Sequence, residues 1–106
     1  MVKLIALFKE PEDRAKFQEL YEKTHLPLAR KMPGLRRLEI SRVVGMPGGG
    51  KSPYLQMAEL YFDSLPELEA AMNSPEGKEA ARNLFSFAKD VVSMHIAEVE
   101  SEDFHG

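Results

Sequence analysis

The sequence predicts one α+β domain built in the order βαββαβ. Its 106 residues match the usual size of a single domain, and 43% hydrophobic with 29% charged residues is typical of an ordinary globular chain. Four short apolar runs with the periodicity of strands are interspersed with two stretches that have the periodicity of helices. We expect residues 1–100 to form this domain around one core, and residues 101–106 to form a polar tail.

The first predicted strand and helix occupy the N-terminal third of the chain. Residues 2–9 are apolar on both alternating faces, which predicts a strand buried on two sides. Pro11, followed by two acidic residues, predicts a helix with proline in its first turn. Apolar side chains then repeat at helical spacing from Phe17, so the helix is expected to run to about residue 32, where the Pro33-Gly34 pair ends it.

Pro27 lies inside this first helix. A proline has no N–H, so the carbonyl of Lys23 loses its helical partner and the last turns are expected to kink. His25 lies beside the kink, at the edge of the apolar stripe, where it could face a cavity between the helix and the sheet. An Nδ1–H bond to the freed carbonyl would leave Nε2 as a base near neutral pH. The alternative is a histidine that only satisfies the kinked turn.

The remaining elements follow in the order strand, strand, helix, strand. Strands are expected at residues 35–44, 54–62 and 91–99. A capping box that begins at Ser64 starts the second helical region, and the Ser74-Pro75 pair restarts it as a further segment.

This order is typical of a split βαβ, ferredoxin-like fold. Its four-stranded antiparallel sheet carries both helices on one face, so the other face is normally polar. Here the first, third and fourth strands offer apolar residues on both faces. A bare apolar sheet face marks an interface, and the simplest cover is a second copy of the chain. The sequence therefore predicts a homodimer through the sheet face.

Composition excludes several other classes. The net charge of −3, with the two signs interspersed, provides no basic patch for nucleic acid. The chain has no cysteine, so disulfides, thiolate metal sites and a cysteine nucleophile are excluded. The apolar N-terminus is too short to span a bilayer, and it lacks the cleavage pattern of a signal peptide. We expect a cytoplasmic protein with no membrane partner.

Two stretches of the chain resemble the EthD family. The first is FQELYEKTHLPLA at residues 17–29, followed by MPGL at residues 32–35. The second is AELYFDS at residues 58–64, with SPEG at residues 74–77 behind it. Together they span most of the chain in the family's order. The resemblance implies that two ferredoxin-like subunits form a dimeric α+β barrel, and it maps the family's His-x-Pro element onto His25.

The resemblance also implies functions. The family is named for its association with a gene cluster that degrades a fuel ether, and similar folds include an isomerase, cofactor-independent monooxygenases and haem-binding relatives. We expect a small apolar organic ligand, with His25 as the base of a cofactor-independent isomerase, decarboxylase or monooxygenase. The alternative is a non-catalytic protein that binds a metabolite as an accessory of a catabolic pathway. Haem bound through His25 stays open.

Two further residues of the first helix are candidates. Tyr21 lies one turn before His25 and could donate a hydrogen bond from its hydroxyl to a developing oxyanion. Alternatively, it is a core aromatic residue whose hydroxyl reaches solvent. Arg30 could hold a substrate carboxylate, or it could belong to a solvated rim.

A second group of candidates lies on the predicted sheet. Glu59 and Tyr61 share one face of the third strand, and His95 lies on the fourth. If these faces line one cavity, the carboxylate and the imidazole could act as an orienting pair and bind substrate. Otherwise these polar groups satisfy one another across the dimer interface.

Neither a metal site nor a phosphate-binding loop is predicted. His25, His95 and His105 are far apart, and no metal-ligand spacing is present, so no metal site is expected. Residues 45–52 spell the phosphate-loop pattern G-x-x-x-x-G-K-S, which works only when a helix follows it. Pro53 follows instead and disfavours a helix, so this stretch is expected to be a hairpin loop.

Overall fold

A computed structural model describes residues 1–105. The elements are β1 (Val2–Lys9), α1 (Arg14–Leu20), a π-helical turn (Tyr21–His25), α2 (Leu26–Ala29), β2 (Arg37–Arg42), β3 (Tyr54–Phe62), α3 (Leu65–Asn73), α4 (Pro75–Ala88) and β4 (Val92–Glu98). The predicted βαββαβ order and the ferredoxin-like α+β class are confirmed. The part of the predicted polar tail at 101–105 is exposed, whereas Gly106 lies outside the described residues.

The four strands form one antiparallel sheet in the order β2-β3-β1-β4. Alternate residues of β1 point to opposite faces of the sheet. Those facing the helices, which we call the inner face, are buried: Val2, Leu4, Ala6 and Phe8. Those on the opposite outer face are half-buried: Lys3, Ile5 and Leu7. Because β1 lies between two strands and under the helices, its two-sided apolar pattern follows from its central position.

The outer face is less apolar than the sequence predicts. The Lys3 ammonium donates a hydrogen bond to the Glu59 carboxylate, and the two groups form an ion pair. Beside them the Tyr61 hydroxyl donates to Glu39 Oε1 at 2.8 Å. The apolar part of the face is a narrower band, made by Ile5, Leu7 and Met57.

The first helix begins later than predicted. Asp13 is its N-cap, and the Asp13 Oδ1 accepts a hydrogen bond from the Lys16 N–H at 3.0 Å. Pro11 therefore precedes the helix and does not occupy its first turn, because an aspartate cap satisfies the free amides there. The helix ends at Ala29, and Gly34 takes the positive φ of +78° that lets the chain turn toward β2.

A π-helical turn takes the place of a simple kink at Pro27. The Leu26 N–H donates to the carbonyl of Tyr21, five residues back, and Pro27 then occupies the first turn of α2. One extra residue is thereby inserted into the helical ladder just before the proline, at Tyr21–His25. Such turns are frequent at functional sites.

The second helical region follows the prediction closely. The Ser64 hydroxyl accepts from the Glu67 N–H at 3.4 Å, and the Ser74 hydroxyl accepts from the Gly77 N–H at 3.0 Å. Each serine therefore caps one helix, α3 or α4. The strand β3 has the predicted bounds, whereas β2 and β4 are shorter than predicted at both ends.

The glycine-rich stretch is a loop between two strands. The strand β3 begins at Tyr54, directly after Pro53, so no helix N-terminus follows Ser52. This geometry lacks the helix amides that a phosphate loop uses, as the sequence predicts. Of the helices within residues 1–105, none has both the length and the apolar character needed to span a bilayer. The cytoplasmic location stays a prediction.

Candidate functional site

A cavity of about 220 Å³ lies between the helices and the inner face of the sheet. Its wall combines residues of β1, β3 and β4 with residues of the π-helical turn and of α3 and α4: Leu4, Ala6, Phe8, Tyr21, His25, Met32, Ala58, Leu60, Met72, Gly77, Ala80, Ala81, Leu84, Phe85 and Met94. An engineered apolar cavity of about 150 Å³ binds benzene, and sites for drug-sized ligands begin at about 300 Å³. The cavity therefore suits a ligand of about one ring.

Small residues of α4 make room for this cavity. Gly77, Ala80, Ala81 and Leu84 follow one another at helical spacing, so they lie on one face of the helix and turn toward β1 and β3. Large side chains at these positions would fill the space between the helix and the sheet. This wall is not among the predictions from the sequence, although small residues at helical spacing on α4 indicate it.

Three exposed apolar side chains surround the opening of the cavity. They are Met72 on α3, Phe85 on α4 and Met94 on the edge strand β4, with exposed fractions of 40%, 44% and 37%. In the part of the chain that the structure describes, no helix covers the inner face of β4 at this point, and Ile96 is also exposed. A ligand thus has an apolar route from the surface to the interior.

His25 is the last residue of the π-helical turn, and only 9% of its surface is exposed. Its ring centroid lies 5.5 Å from that of Tyr21 and 6.5 Å from that of Phe87. Within residues 1–105, the Nδ1 atom is buried and has no hydrogen-bond partner. The imidazole is therefore held by aromatic neighbours and forms part of the cavity wall.

The pKa of His25 is lowered, chiefly because burial disfavours the charged imidazolium. The Asn83 side chain and the Ala80 carbonyl, both on α4, act in the opposite direction and raise the pKa of His25. The imidazole is neutral at pH 7 and can accept a proton. The expected hydrogen bond from His25 Nδ1 to the Lys23 carbonyl is not formed within residues 1–105, and the polar groups that raise the pKa of His25 belong to the facing helix.

Tyr21 is almost fully buried, and burial raises its pKa to about 12. Its ring stacks on Phe17 at 5.8 Å and meets Phe8 edge to face at 5.3 Å. At pH 7 its hydroxyl is therefore protonated and can only donate or accept a hydrogen bond. The structure brings Tyr21 and His25 into one wall, and both roles considered for Tyr21 stay open.

The other predicted site residues lie elsewhere. Ile5 of β1 pairs with Glu59 on one side and with His95 on the other, so both side chains point to the outer face. Tyr61 lies on the same face, beside Glu59. None of these three lines the cavity that contains His25, and their role in substrate binding stays a prediction.

Arg30 lies just after α2 and is exposed. It does not contribute to the wall of the cavity either, so a substrate inside the cavity is not in contact with this guanidinium. Its role in binding a carboxylate also stays a prediction.

A larger cleft, of about 560 Å³, lies where α1 meets the end of α4. It is more open to solvent than the cavity, and charged residues of both signs line it, among them Lys16, Lys89, Asp13 and Asp90. It contains no histidine. Because enclosure and a group that titrates near neutral pH favour chemistry, the smaller cavity is the better candidate site.

Within residues 1–105, no three His, Asp or Glu side chains come together as a group that could hold a metal ion. A haem is far larger than a cavity of about 220 Å³, so haem ligation by His25 inside this cavity does not fit.

Fold and site together define a small ferredoxin-like α+β protein with an apolar cavity and one histidine in its wall. Residues 9–91 match the sequence profile of the EthD domain. An uncharacterized 11.0 kDa protein in the thcB–thcC intergenic region of Rhodococcus erythropolis is 33% identical over 95% of this chain and 97% of its own length. An EthD family protein from Bacillus halodurans is 43% identical over 94% of this chain and 99% of that one, with a TM-score of 0.90. The chain belongs to the EthD family.

More distant solved structures share the fold. A cofactor-independent oxygenase from Streptomyces nogalater is 15% identical, covers 95% of this chain and 94% of its own, and has a TM-score of 0.67. A dimeric protein of unknown function and ferredoxin-like fold from Bacteroides fragilis is 21% identical, covers 94% and 95% of the two chains, and has a TM-score of 0.61. Structural neighbours of this chain thus include an oxygenase and a dimer.

Proposed function

We propose that this protein encloses a small, neutral, apolar organic molecule between its helices and its sheet, and that His25 is the general base acting on it. One observation carries the proposal. Among the residues that line the cavity, His25 is the only one with an ordinary pKa near 7, and its burial keeps the imidazole neutral. A neutral base in an apolar cavity is suited to removing a proton from an uncharged substrate.

The proposed step is a proton transfer. A C–H or enol O–H bond of the substrate breaks, a bond forms between a nitrogen of His25 and the proton, and an anion remains beside the imidazolium. Tyr21 would donate its hydroxyl to that anion. The anion can be reprotonated elsewhere, which is an isomerisation, or can react with O₂ in a cofactor-free oxygenation. Loss of CO₂ from a carboxylate would leave the same kind of anion, but that substrate is charged and needs no proton removed. The Streptomyces nogalater neighbour, described as a cofactor-independent oxygenase, supports the oxygenation for this fold.

The test uses 5-nitrobenzisoxazole, a small neutral compound of two fused aromatic rings with one acidic C–H. A base removes that proton, the N–O bond breaks, and a coloured cyanophenolate forms. We expect saturable turnover with a rate that rises with pH through the pKa of His25. The variant His25→Gln should lower kcat/KM at least about a hundredfold, the usual contribution of a general base. His105→Gln is the matched control, because His105 is exposed in the C-terminal tail. Equal rates for His25→Gln and the parent would contradict the proposal.

A second candidate function is binding without catalysis, as an accessory protein that sequesters a metabolite. It is favoured by the composition of the cavity wall, in which only His25 and Tyr21 carry polar side chains. Such a wall desolvates a ligand and offers little stabilisation to developing charge. Calorimetry with 5-nitrobenzisoxazole separates the two functions. Binding without turnover, retained in His25→Gln, would favour the accessory role.

We further propose that the protein is a homodimer packed through the outer face of the sheet. No element within residues 1–105 covers that face. It combines the apolar band Ile5, Leu7 and Met57 with the Lys3–Glu59 ion pair, whose carboxylate is buried. The molecule is only 19 Å thick across its shortest axis, so a second sheet layer would add much to its burial. The Bacteroides fragilis neighbour, described as dimeric, supports a dimer for this fold.

A further inference from the structure

Asn83 lies on α4 between the cavity residues Ala80 and Leu84, and it is half-buried. The helix α4 packs against the π-helical turn that carries His25. Two buried polar atoms at this contact lack hydrogen-bond partners within residues 1–105: Asn83 Oδ1 and His25 Nδ1. One is an acceptor, and the other can carry a proton to donate. Buried polar atoms are normally paired, so two complementary ones on facing helices call for an explanation.

The orientation of the Asn83 amide is set by Thr24. The Thr24 hydroxyl donates its hydrogen to the Leu20 carbonyl at 2.6 Å, so its oxygen is free to accept. The Asn83 Nδ2 lies 3.5 Å from that oxygen and donates to it. The opposite end of the amide, Oδ1, is therefore the end left for the imidazole. Thr24 and His25 are consecutive residues of the π-helical turn, so the single Asn83 amide lies beside both of them.

We propose that Asn83 is a positioning residue for His25: its Oδ1 accepts a hydrogen bond from Nδ1–H and thereby leaves Nε2 unprotonated toward the cavity. Neutral imidazole carries one N–H, so the nitrogen that donates to Asn83 decides which nitrogen can act as the base. The Asn83 side chain and the Ala80 carbonyl both raise the pKa of His25, which is the sign expected of acceptors beside an N–H. Of the two, Asn83 is the one with a side-chain oxygen that lacks a partner within residues 1–105. The inference deepens the proposed function and rests on it for its catalytic meaning.

The tautomer of His25 is directly measurable. In the full chain labelled with ¹⁵N, long-range ¹H–¹⁵N correlation spectra distinguish a protonated Nδ1 from a protonated Nε2, and the His25→Gln variant identifies the signal. Above the pKa of His25 we expect the Nδ1–H form. In Asn83→Leu, which has similar volume and no acceptor, we expect the ratio of Nδ1–H to Nε2–H to fall about fivefold to tenfold, the factor of one neutral hydrogen bond. In Asn83→Asp the carboxylate should raise the pKa of His25 by about 1 or more.

Two controls keep the result specific. Asn73→Leu makes the same change on α3, where Asn73 is exposed and donates to the Glu69 carbonyl. It should leave the spectrum of His25 unchanged. Thr24→Val changes an exposed residue, removes the acceptor that orients the amide, and should shift the tautomer ratio in the same direction as Asn83→Leu. It serves in its place if Asn83→Leu does not fold.

The outcomes separate this inference from the proposed function. An Nε2–H tautomer in the parent protein, or a tautomer ratio that is the same in Asn83→Leu or Thr24→Val as in the parent, would overturn the role of Asn83. Neither result depends on turnover. Conversely, a tautomer that responds to Asn83 in a protein inactive toward 5-nitrobenzisoxazole would uphold the positioning and contradict the general base.

Discussion

Gly77, in the first turn of α4, packs directly on the carbonyl group of Ala71 in the last turn of α3. A Cβ atom at position 77 would lie 2.0 Å from the Ala71 oxygen, which is far too close for a non-bonded carbon and oxygen. The Ser74 hydroxyl donates to the same oxygen. The two helices thus meet backbone to backbone beside the cavity, since Gly77 also belongs to its wall.

Replacing Gly77 with alanine should destabilise the protein by about 3 kcal/mol. Alanine has the better helix propensity by about 1 kcal/mol, but the clash is with main-chain atoms that cannot rotate away. Urea denaturation of the two proteins measures the difference. Gly48→Ala is the control: nothing lies within 4 Å of a Cβ there, so its stability should stay within about 1 kcal/mol of the parent. Equal stability of Gly77→Ala and the parent would disprove this packing.

The stability of the protein should fall as the pH decreases from about 7 to about 5. The pKa of His25 is lower in the folded chain than its ordinary value of 6.5, so the unfolded chain binds the proton first. Unfolding therefore becomes easier with acidification, with a slope that cannot exceed about 1.4 kcal/mol per pH unit for one proton. Denaturation curves at several pH values should show this slope in the parent and a smaller one in His25→Gln. An unchanged slope in the variant would mean that His25 is not buried in its neutral form.

Tyr21→Phe separates the two roles considered for Tyr21. The ring keeps its packing on Phe8 and Phe17, so the free energy of unfolding should change by less than about 1 kcal/mol. If the hydroxyl donates to a developing anion, kcat toward 5-nitrobenzisoxazole should fall about tenfold or more, with little change in KM. A variant as active as the parent would leave Tyr21 as a core aromatic only.

Lys3→Glu should dissociate the proposed dimer. The new carboxylate would face Glu59 on the outer face, and Glu39 of β2 pairs with Glu59 on its other side, so three like charges would lie in the interface. Sedimentation at micromolar concentration should show a dimer for the parent and a monomer for the variant. Lys78→Glu makes the same charge change on an exposed position of α4 and should stay dimeric. A parent protein that sediments as a monomer would rule out the outer face as an interface.

Much of the fold could be predicted because helix caps and strand patterns depend on residues that are close together in the chain. Ser64 and Ser74 cap their helices as the sequence predicts, and β1 has the two-sided apolar pattern of a central strand. The errors came from signals that are not local. Glu59 makes the outer face polar by pairing with Lys3, which is 56 residues away in the chain.

For the candidate site, His25 could be predicted from the sequence, but the π-helical turn that carries it and the α4 residues beside it could not. The residue types around Pro27 do not distinguish an α-helical kink from a π-helical turn, because Pro27 lacks an N–H in either case. The groups that act on His25 come from a helix more than 50 residues later, so Asn83 and Ala80 could be found only once the helices were packed.

The opening of the cavity consists mainly of long side chains without branches. Met72 and Met94 each have three rotatable bonds and a polarizable sulfur, so the width of the entrance follows the shape of whatever passes through it. Deeper inside, Phe8, Tyr21 and Ala58 are fixed by the sheet and by ring stacking. Molecules of many shapes can therefore enter, and discrimination among them takes place at the floor.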